Sequence, residues 1–512
     1  MIAFTSATCL GDVLEEAFRR FSGQPALWVK GQTYTYSALE QLARGILSGL
    51  PATDIRTGRV AILAERNEIA YAGILGTVLA GLTYVPLNPR FSAARILDIL
   101  QQVDADVVIS DNRGAAILES IRESLPPRLA VLVAEGANPA SNTRPRSTNV
   151  RPDDTVYILF TSGTTGRPKG VPVSQANVMA FLANICNRVP SGPGDRFLQL
   201  LDLSFDPSVH DLFGCWSTGG TLYSAPEGMA TMADRFVRDF QITHLSAVAS
   251  TAALLHTQNR LAPRSLPSVR ETIFGGEALP VNIASAWRTA APNATVRNHY
   301  GPTEATVAIT ECVWRDAWAP ELSGSVPIGR AFDGQTIALV DDGLRAVPPG
   351  TPGELLVSGS QVTRGYLNNP DMTREKFIAL PGAQGCWYRT GDLVVDDPLY
   401  GLRYRGRADQ QLKVRGFRVE GQEVESHVRA ASGTDLVAVV GWPKNEEGLV
   451  MGLVAFVVGP KVTPDKIIES CRTRMPDYMV PARVITVPEL PLNANGKIDH
   501  AALARSLDSP NS

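Results

Sequence analysis

The stretch TVYILFTSGTTGRPKG, residues 155–170, changes character half-way along. Residues 156–160 are a short apolar run that suits a buried strand. The second half gathers Gly163, Gly166 and Gly170 with Thr161, Ser162, Thr164 and Thr165, and adds Arg167 and Lys169. Glycine lacks a Cβ and tolerates positive φ, so backbone N–H groups can crowd a ligand there. Hydroxyl donors and cations beside them suit polyphosphate oxygens. The usual P-loop ends in Gly-Lys followed by Ser or Thr and opens into a helix. Here Pro168 precedes the lysine and residues 170–173 read as extended. The expectation is a mobile phosphate-contacting loop between two strands; composition alone leaves an ordinary hairpin loop open.

The rest of the chain bounds the reading. A length of 512 residues predicts two or three domains, and 44% hydrophobic with 19% charged residues is globular composition. A net charge of −3 carries no electrostatic footprint for nucleic acid or an anionic membrane. The cysteines (9, 186, 215, 312, 386 and 471) are scattered without a C-x-x-C pair, which argues against structural zinc and for a reducing compartment. The N-terminus lacks a basic n-region and no apolar run is long enough to span a bilayer. A cytoplasmic protein without nucleic-acid or membrane partners is expected.

Taken in order, residues 10–22 space their apolar positions as a helix, and two short strands flank Gly31 as a hairpin. Ser37 is placed to cap the helix that follows. Strands at 60–64 and 106–110 alternate with an apolar helix over 68–81, and the alternation continues to about residue 290. This pattern predicts mostly parallel sheets covered on both faces. Residues 136–153 read as a Pro/Asn/Ser-rich surface loop. Short strands crowd residues 320–408, and the last hundred residues are a compact mixture. The fold class is α/β, with a large N-terminal domain over residues 1–408 that includes a β-rich subdomain at about 320–408. A small α+β C-terminal domain covers 409–512.

Further motifs follow the phosphate loop in a recognisable order. They include YTYSAL from residue 34, LAGLTYVPLNP from 79, FDPS from 205, NHYGPTE from 298, YRTGD from 388, GRADQQLK from 406, MPDYMVP from 475 and NGKID from 495. Together with the loop they resemble the adenylate-forming superfamily of acyl-CoA synthetases, luciferases and peptide-synthetase adenylation domains, from about residue 33 to 499. A stand-alone amino-acid adenylation enzyme is the nearest match within it. The resemblance implies ATP and Mg²⁺, attack of a carboxylate on the α-phosphate, and release of pyrophosphate. By the same resemblance, residues 161–169 (Thr161, Ser162, Gly163, Thr164, Thr165, Gly166 and Lys169 among them) close over the phosphates. Glu304 is the metal ligand, with Thr303 beside it and Thr165 approaching. Tyr300 and Gly301, Asn298, and the backbone of Gly275, Gly276 and Glu277 surround the adenine. Asp392 and Arg407 take the ribose. Lys497 is the catalytic lysine, bridging the substrate carboxylate and the adenylate, and Asp409 is the hinge of a mobile C-terminal domain. Lys413 and residues 414–420 lie on the face used for thiolation. The family's E-x-G-E-I-E reads EGQEVE from Glu420, with its glycine one place early, and a local loop change is expected there.

The substrate residues come from the same resemblance. Asp206 in FDPS holds an α-ammonium, a charge pair that is strong in a dry pocket. Pro207, His210, Ser246, Ile273, Gly275, His299, Val307 and Ala308 complete the pocket with Lys497. No carboxylate among the lining residues other than Asp206 faces a basic side chain, so a small, polar or acidic amino acid, or proline, is expected. Too few residues follow Asp499 for a carrier domain, so the implied acceptor is the phosphopantetheine thiol of a separate carrier protein. A carboxylic acid–CoA ligase and a catalytically inactive nucleotide-binding protein are the competing readings. Asp206 speaks against the first, and the intact Lys497 and Glu304 against the second.

Overall fold

The computed structural model describes residues 9–49, 56–134, 150–162, 167–322, 324–407, 411–445, 449–491 and 498–507. Gly163, Thr164, Thr165, Gly166, Asp409 and Lys497, and most of the 136–153 loop, lie outside the described residues.

The apolar run at 156–160 is the heart of the strand Thr155–Thr161, in which residues 156–159 are almost wholly buried. It belongs to a six-stranded sheet ordered Ala130–Val133, Val107–Ser110, Arg59–Leu63, Thr83–Leu87, Thr155–Thr161 and Lys169–Ser174. All pairs are parallel except the last, where Thr161 pairs with Lys169 in antiparallel register. The expected extended chain after Pro168 is therefore the edge strand of this sheet.

A nine-stranded sheet runs from Arg330–Ala331 through Thr310–Val313, Thr295–Tyr300, Glu271–Phe274, His244–Ala247, Arg196–Gln199, Thr221–Ser224 and Pro25–Val29 to Gln32–Thr35. Its central pairs are parallel and its two ends antiparallel. The helix Glu68–Leu79 lies between the two sheets and is buried on every side from Ile69 to Leu79. Gly73 packs toward Ile62 of one sheet, and the Tyr71 hydroxyl donates to Ser224 of the other at 2.7 Å. A helix that is apolar all round is what such a position requires.

Two local expectations are corrected. The helix over residues 36–48 begins at Tyr36, and its cap is Thr35, whose hydroxyl accepts from the Ala38 N–H; Ser37 is already inside the first turn. The hairpin of Pro25–Val29 with Gln32–Thr35 ends at Thr35, so the hydroxyl that leaves the strand in extended conformation is the one positioned to cap. At the displaced glycine no loop is inserted. The strand Phe417–Glu420 runs directly into the helix Gly421–Ser432, with Gly421 as its first residue.

A five-stranded antiparallel sheet follows, built on Gln335–Val340, Gly353–Gly359, Trp387–Asp397, Phe377–Ile378 and Gly401–Arg407. The hairpin Gln411–Val414 with Phe417–Glu420 leads to a three-stranded sheet of Val437–Gly441, Leu453–Val458 and Arg483–Val487. Period-two alternation gives that sheet two separate faces. Val437, Val439, Leu453 and Ala455 pack with the hairpin's Val414 and Val419. Ala438, Val440, Val454 and Phe456 pack with Leu503 and Leu507 and with Leu490 and Ile498. No helix among the described residues is long and apolar enough to cross a membrane.

Gly329 joins the nine-stranded and five-stranded sheets by exchanging backbone hydrogen bonds with Leu402. Its φ is +76°, and a Cβ there would stand 1.9 Å from the Glu311 carbonyl oxygen. Gly329→Ala is expected to destabilise the protein by more than about 2 kcal/mol, read as a lower denaturation midpoint.

Candidate active site

In open parallel sheets, ligands bind beyond the carboxyl ends of the strands. Here the strands Thr155–Thr161, His244–Ala247, Glu271–Phe274 and Thr295–Tyr300 all deliver predicted residues at or just past their ends. Two adjoining cavities lie there. The first, a cleft of about 830 Å³ open to solvent, is lined by Asp206, Pro207, His210, Ser246 and Ile273 together with Gly275, His299, Val307 and Ala308. All of the substrate-pocket residues inferred from the sequence, apart from Lys497, thus share one cavity, and Phe181 joins them.

The second cavity, about 780 Å³, is more polar than the first and is lined by Thr161, Ser162, Gly276, Tyr300 and Gly301 with Thr303, Asp392 and Arg407. Phe205, Asp206, Gly276, Gly301 and Gly416 line both cavities. Glu277, Asn298, Glu304 and Lys169 are buried behind these walls. Asn298 donates to the carbonyls of Val326 and Pro327, and its buried Oδ1 has no hydrogen-bond partner among the described residues. Asp392 accepts from Arg407 at 2.8 Å and from the Tyr300 hydroxyl.

Charge in the site centres on Glu304, which is wholly buried. Its Oε1 accepts from the Tyr366 hydroxyl at 2.7 Å and lies 3.5 Å from Lys169 Nζ, and its Oε2 lies 3.1 Å from Arg418. Burial alone would raise the Glu304 carboxyl, but Arg418, Lys169 and Tyr366 hold it well below the usual carboxylate range. Burial, with Arg418 nearby, pushes Lys169 down to about 8 despite that carboxylate. Asp206 is pushed up to about 7 by burial, opposed by the hydrogen bond of 2.7 Å from the Thr303 hydroxyl.

The hairpin Gln411–Val414 with Phe417–Glu420 enters the cleft. Ser162 Oγ donates to the Arg418 carbonyl at 2.8 Å and accepts from the Glu420 N–H at 3.1 Å. Lys413 Nζ stands 5.9 Å from the Tyr300 ring centre. Phe417 stacks on Tyr478 at 4.1 Å and meets the edge of Phe205 at 4.8 Å. Tyr366 is a neighbour of Glu304 that sequence reasoning did not single out, and Arg418 entered it only as one of residues 414–420. A further omission is the strained turn that presents Val307, where Thr306 and Val307 have φ of 57° and 70°. Gln361 holds that turn by donating to the Ala308 carbonyl at 2.6 Å, a restraint from the neighbouring sheet that local sequence does not signal.

The model of the AMP-binding enzyme family matches residues 14–367, and that of the AMP-binding enzyme C-terminal domain matches residues 423–497. The chain belongs to the AMP-binding enzyme family. Its curated relatives include tyrocidine synthase 3 of Brevibacillus parabrevis, 32% identical over 99% of this chain but only 8% of the relative. Malpinin synthetase of Mortierella alpina is 34% identical over 99% of this chain and 7% of its own length. The chain therefore spans less than a tenth of those two proteins. The D-alanine–D-alanyl carrier protein ligase of Bacillus velezensis is 31% identical over 92% of this chain and 94% of its own. Among solved structures, the Vibrio cholerae adenylation domain AlmE in complex with glycyl-adenosine-5'-phosphate superposes with a TM-score of 0.85 at 31% identity, covering 98% of both chains.

In this AMP-binding enzyme the C-terminal elements are docked by a buried ion pair as well as by the hairpin. Arg95 NH1 lies 3.1 Å from Glu423 Oε1, and the side chains are 6% and 0% exposed. Removing one member strands the other in a dry interface. Arg95→Ala is expected to cost about 3 kcal/mol of docking, seen as faster amide exchange across Gly421–Ser432 while the strands of the six-stranded sheet keep their protection.

Proposed function

We propose that the protein activates an amino acid with ATP to an aminoacyl adenylate, releases pyrophosphate, and passes the aminoacyl group to the phosphopantetheine thiol of a separate carrier protein. The observation that carries this reading is the place of Asp206. It is the carboxylate on the wall shared by the apolar and polar cavities. A substrate whose α-ammonium pairs with Asp206 has its carboxylate at the junction with the phosphates, which is the geometry an in-line attack on the α-phosphate needs.

The chain's own groups then divide the work. Asn298 Oδ1 is a buried acceptor suited to the exocyclic amine of adenine, and Tyr300 borders the base. Asp392, an acceptor when ionised, suits a ribose diol, with Arg407 beside it. Thr161, Ser162 and residues 163–166 contact the β- and γ-phosphates, Lys169 and Arg418 add positive charge, and Lys497 stabilises the charge that develops as the acyl–phosphate bond forms. For the metal, no cluster of three His, Cys, Asp or Glu occurs among the described residues. Both Glu304 oxygens are engaged here, by Tyr366, Lys169 and Arg418; with the hairpin that carries Arg418 turned away, Oε2 would be open to a Mg²⁺ that shares its coordination with phosphate oxygens and water. Such an ion supplies neutralisation of phosphate charge.

For the second half-reaction, a third cavity of about 890 Å³ opens beside the substrate cavity, lined by Arg66, Asn88, Arg90, Arg415 and Tyr478. It shares Asp202, Phe205, Arg415 and Phe417 with the first and supports entry of a long thiol arm past the inserted hairpin. Turning about Asp409 would exchange that hairpin for the Lys497 segment. This supports treating residues 1–408 and 409–512 as the two moving parts. The scattered cysteines support a cytoplasmic setting.

Amino-acid-dependent exchange of pyrophosphate into ATP tests the reading. Lys497→Ala is expected to lower that exchange by about a hundredfold or more while sparing thioester formation from supplied adenylate; equal loss of both steps would refute the assigned role. Asp206→Ala is expected to raise the amino-acid KM by more than about tenfold with the ATP KM unchanged. Because the Asp206 carboxyl sits at about 7, the carboxylate that binds the ammonium is present above that pH and lost below it. The amino-acid KM should therefore fall as pH rises from 6 to 8, and Asp206→Asn should remove that dependence.

A further inference from the structure

The wall of the substrate cavity contains a carboxylate-backed imidazole. Asp211 Oδ1 accepts from the Ser246 hydroxyl at 2.7 Å and lies 3.3 Å from His210 Nδ1, which is itself 3.2 Å from Ser246 Oγ. Asp211, Ser246 and His210 are 1%, 4% and 6% exposed. An ionised carboxylate only accepts hydrogen bonds, so Nδ1 keeps its proton and turns it toward Asp211. The other nitrogen, Nε2, has no hydrogen-bond partner among the described residues, although the ring is buried and lines the cavity. Gly214 packs against the ring edge, where a Cβ would stand 3.2 Å from Cδ2 and 3.4 Å from Nε2. The cavity's second histidine is already engaged, its Nε2 lying 3.1 Å from Glu311 Oε2. Phe181, Ile273, Val307 and Ala308 make the remaining lining largely apolar.

We propose that Asp211, acting through His210, makes this cavity selective for an amino acid whose side chain ends in an uncharged hydroxyl or carboxamide. The inference rests on the amino-acid reading above and narrows it. Nε2 is an acceptor in the neutral ring and a donor in the protonated one, and a hydroxyl or carboxamide can answer either state. A hydrocarbon side chain would cover that nitrogen without pairing it, which is the situation in which a site discriminates strongly. A side-chain carboxylate would place a second anion one imidazole away from Asp211. A side-chain ammonium would meet no free carboxylate oxygen on the cavity wall, because Asp211, whose buried Oδ2 has no hydrogen-bond partner among the described residues, is not one of the lining residues. Asp202 is held by Asn88 and Ser204, and Asp206 by Thr303 and the α-ammonium it is assigned. Asp211 is a positioning residue: it sets the ring's tautomer and plane without touching the substrate.

The test is pyrophosphate exchange by the full chain with isosteric pairs, namely threonine and valine, serine and alanine, and asparagine and leucine, alongside glutamine, aspartate, glutamate and lysine. One polar, uncharged amino acid is expected to exceed its hydrocarbon isostere in kcat/KM by about a hundredfold or more. His210→Leu is expected to bring that ratio below about tenfold by raising the polar substrate's KM, with the ATP KM unchanged. His210→Gln, which keeps a donor and an acceptor, should recover part of the ratio. Asp211→Asn should raise the same KM more than it lowers kcat. A hydrocarbon or charged side chain giving the highest kcat/KM would overturn the selectivity alone, as would an unchanged ratio in His210→Leu. Exchange with no amino acid at all would overturn the amino-acid reading itself and this inference with it.

Discussion

A wholly buried carboxylate, Glu304, holds the site together. Taking such a charge out of water costs several kcal/mol unless partners replace the solvent, and here the partners come from different layers of the fold. Lys169 arrives on the edge strand of the six-stranded sheet, Tyr366 from the chain that precedes the helix Pro370–Lys376, and Arg418 from the C-terminal hairpin. Glu304 itself follows the strand Thr295–Tyr300 of the nine-stranded sheet. The charge is therefore satisfied only when these parts are assembled. Assembly in turn places the strands Thr155–Thr161 and Thr295–Tyr300 and the hairpin around one cleft.

That arrangement explains how an apolar and a polar cavity can share a wall. The strand ends supply short polar side chains on one side, while the helical segment after Asp206 and the strained turn at Thr306 and Val307 supply apolar surface on the other. Asp206 stands where the two environments meet, which is why its carboxyl is poorly solvated and titrates near neutrality. The hairpin closes both cavities through Gly416, and Phe417 anchors it on Tyr478 and Phe205. The shape of both cavities is thereby tied to the position of the C-terminal elements.

Much of this was legible in the chain. The apolar run at 156–160, the alternation of strands and helices, and the short strands crowded into 320–408 are all local patterns, and each appears as a structural element. Where reading failed, the deciding contact was not local. Thr35 rather than Ser37 caps its helix because the hairpin before it ends one residue into extended backbone. The strand at Glu420 needs no extra loop because Gly421 can open a helix directly. Asp211 was passed over because, read along the chain, it is an acidic residue in an apolar helical segment; only Ser246, on another strand, reveals that it backs His210.

The sequence by itself determined the family, the order of the elements and the residue types that a nucleotide and an amino acid require, because those depend on periodicity and on motifs within a few residues. Tertiary structure alone decided which charges share a partner. The pairing of Arg95 with Glu423 and of Glu304 with Arg418 spans hundreds of residues, and coulombic and hydrogen-bond energies depend on distance in space, not on separation along the chain.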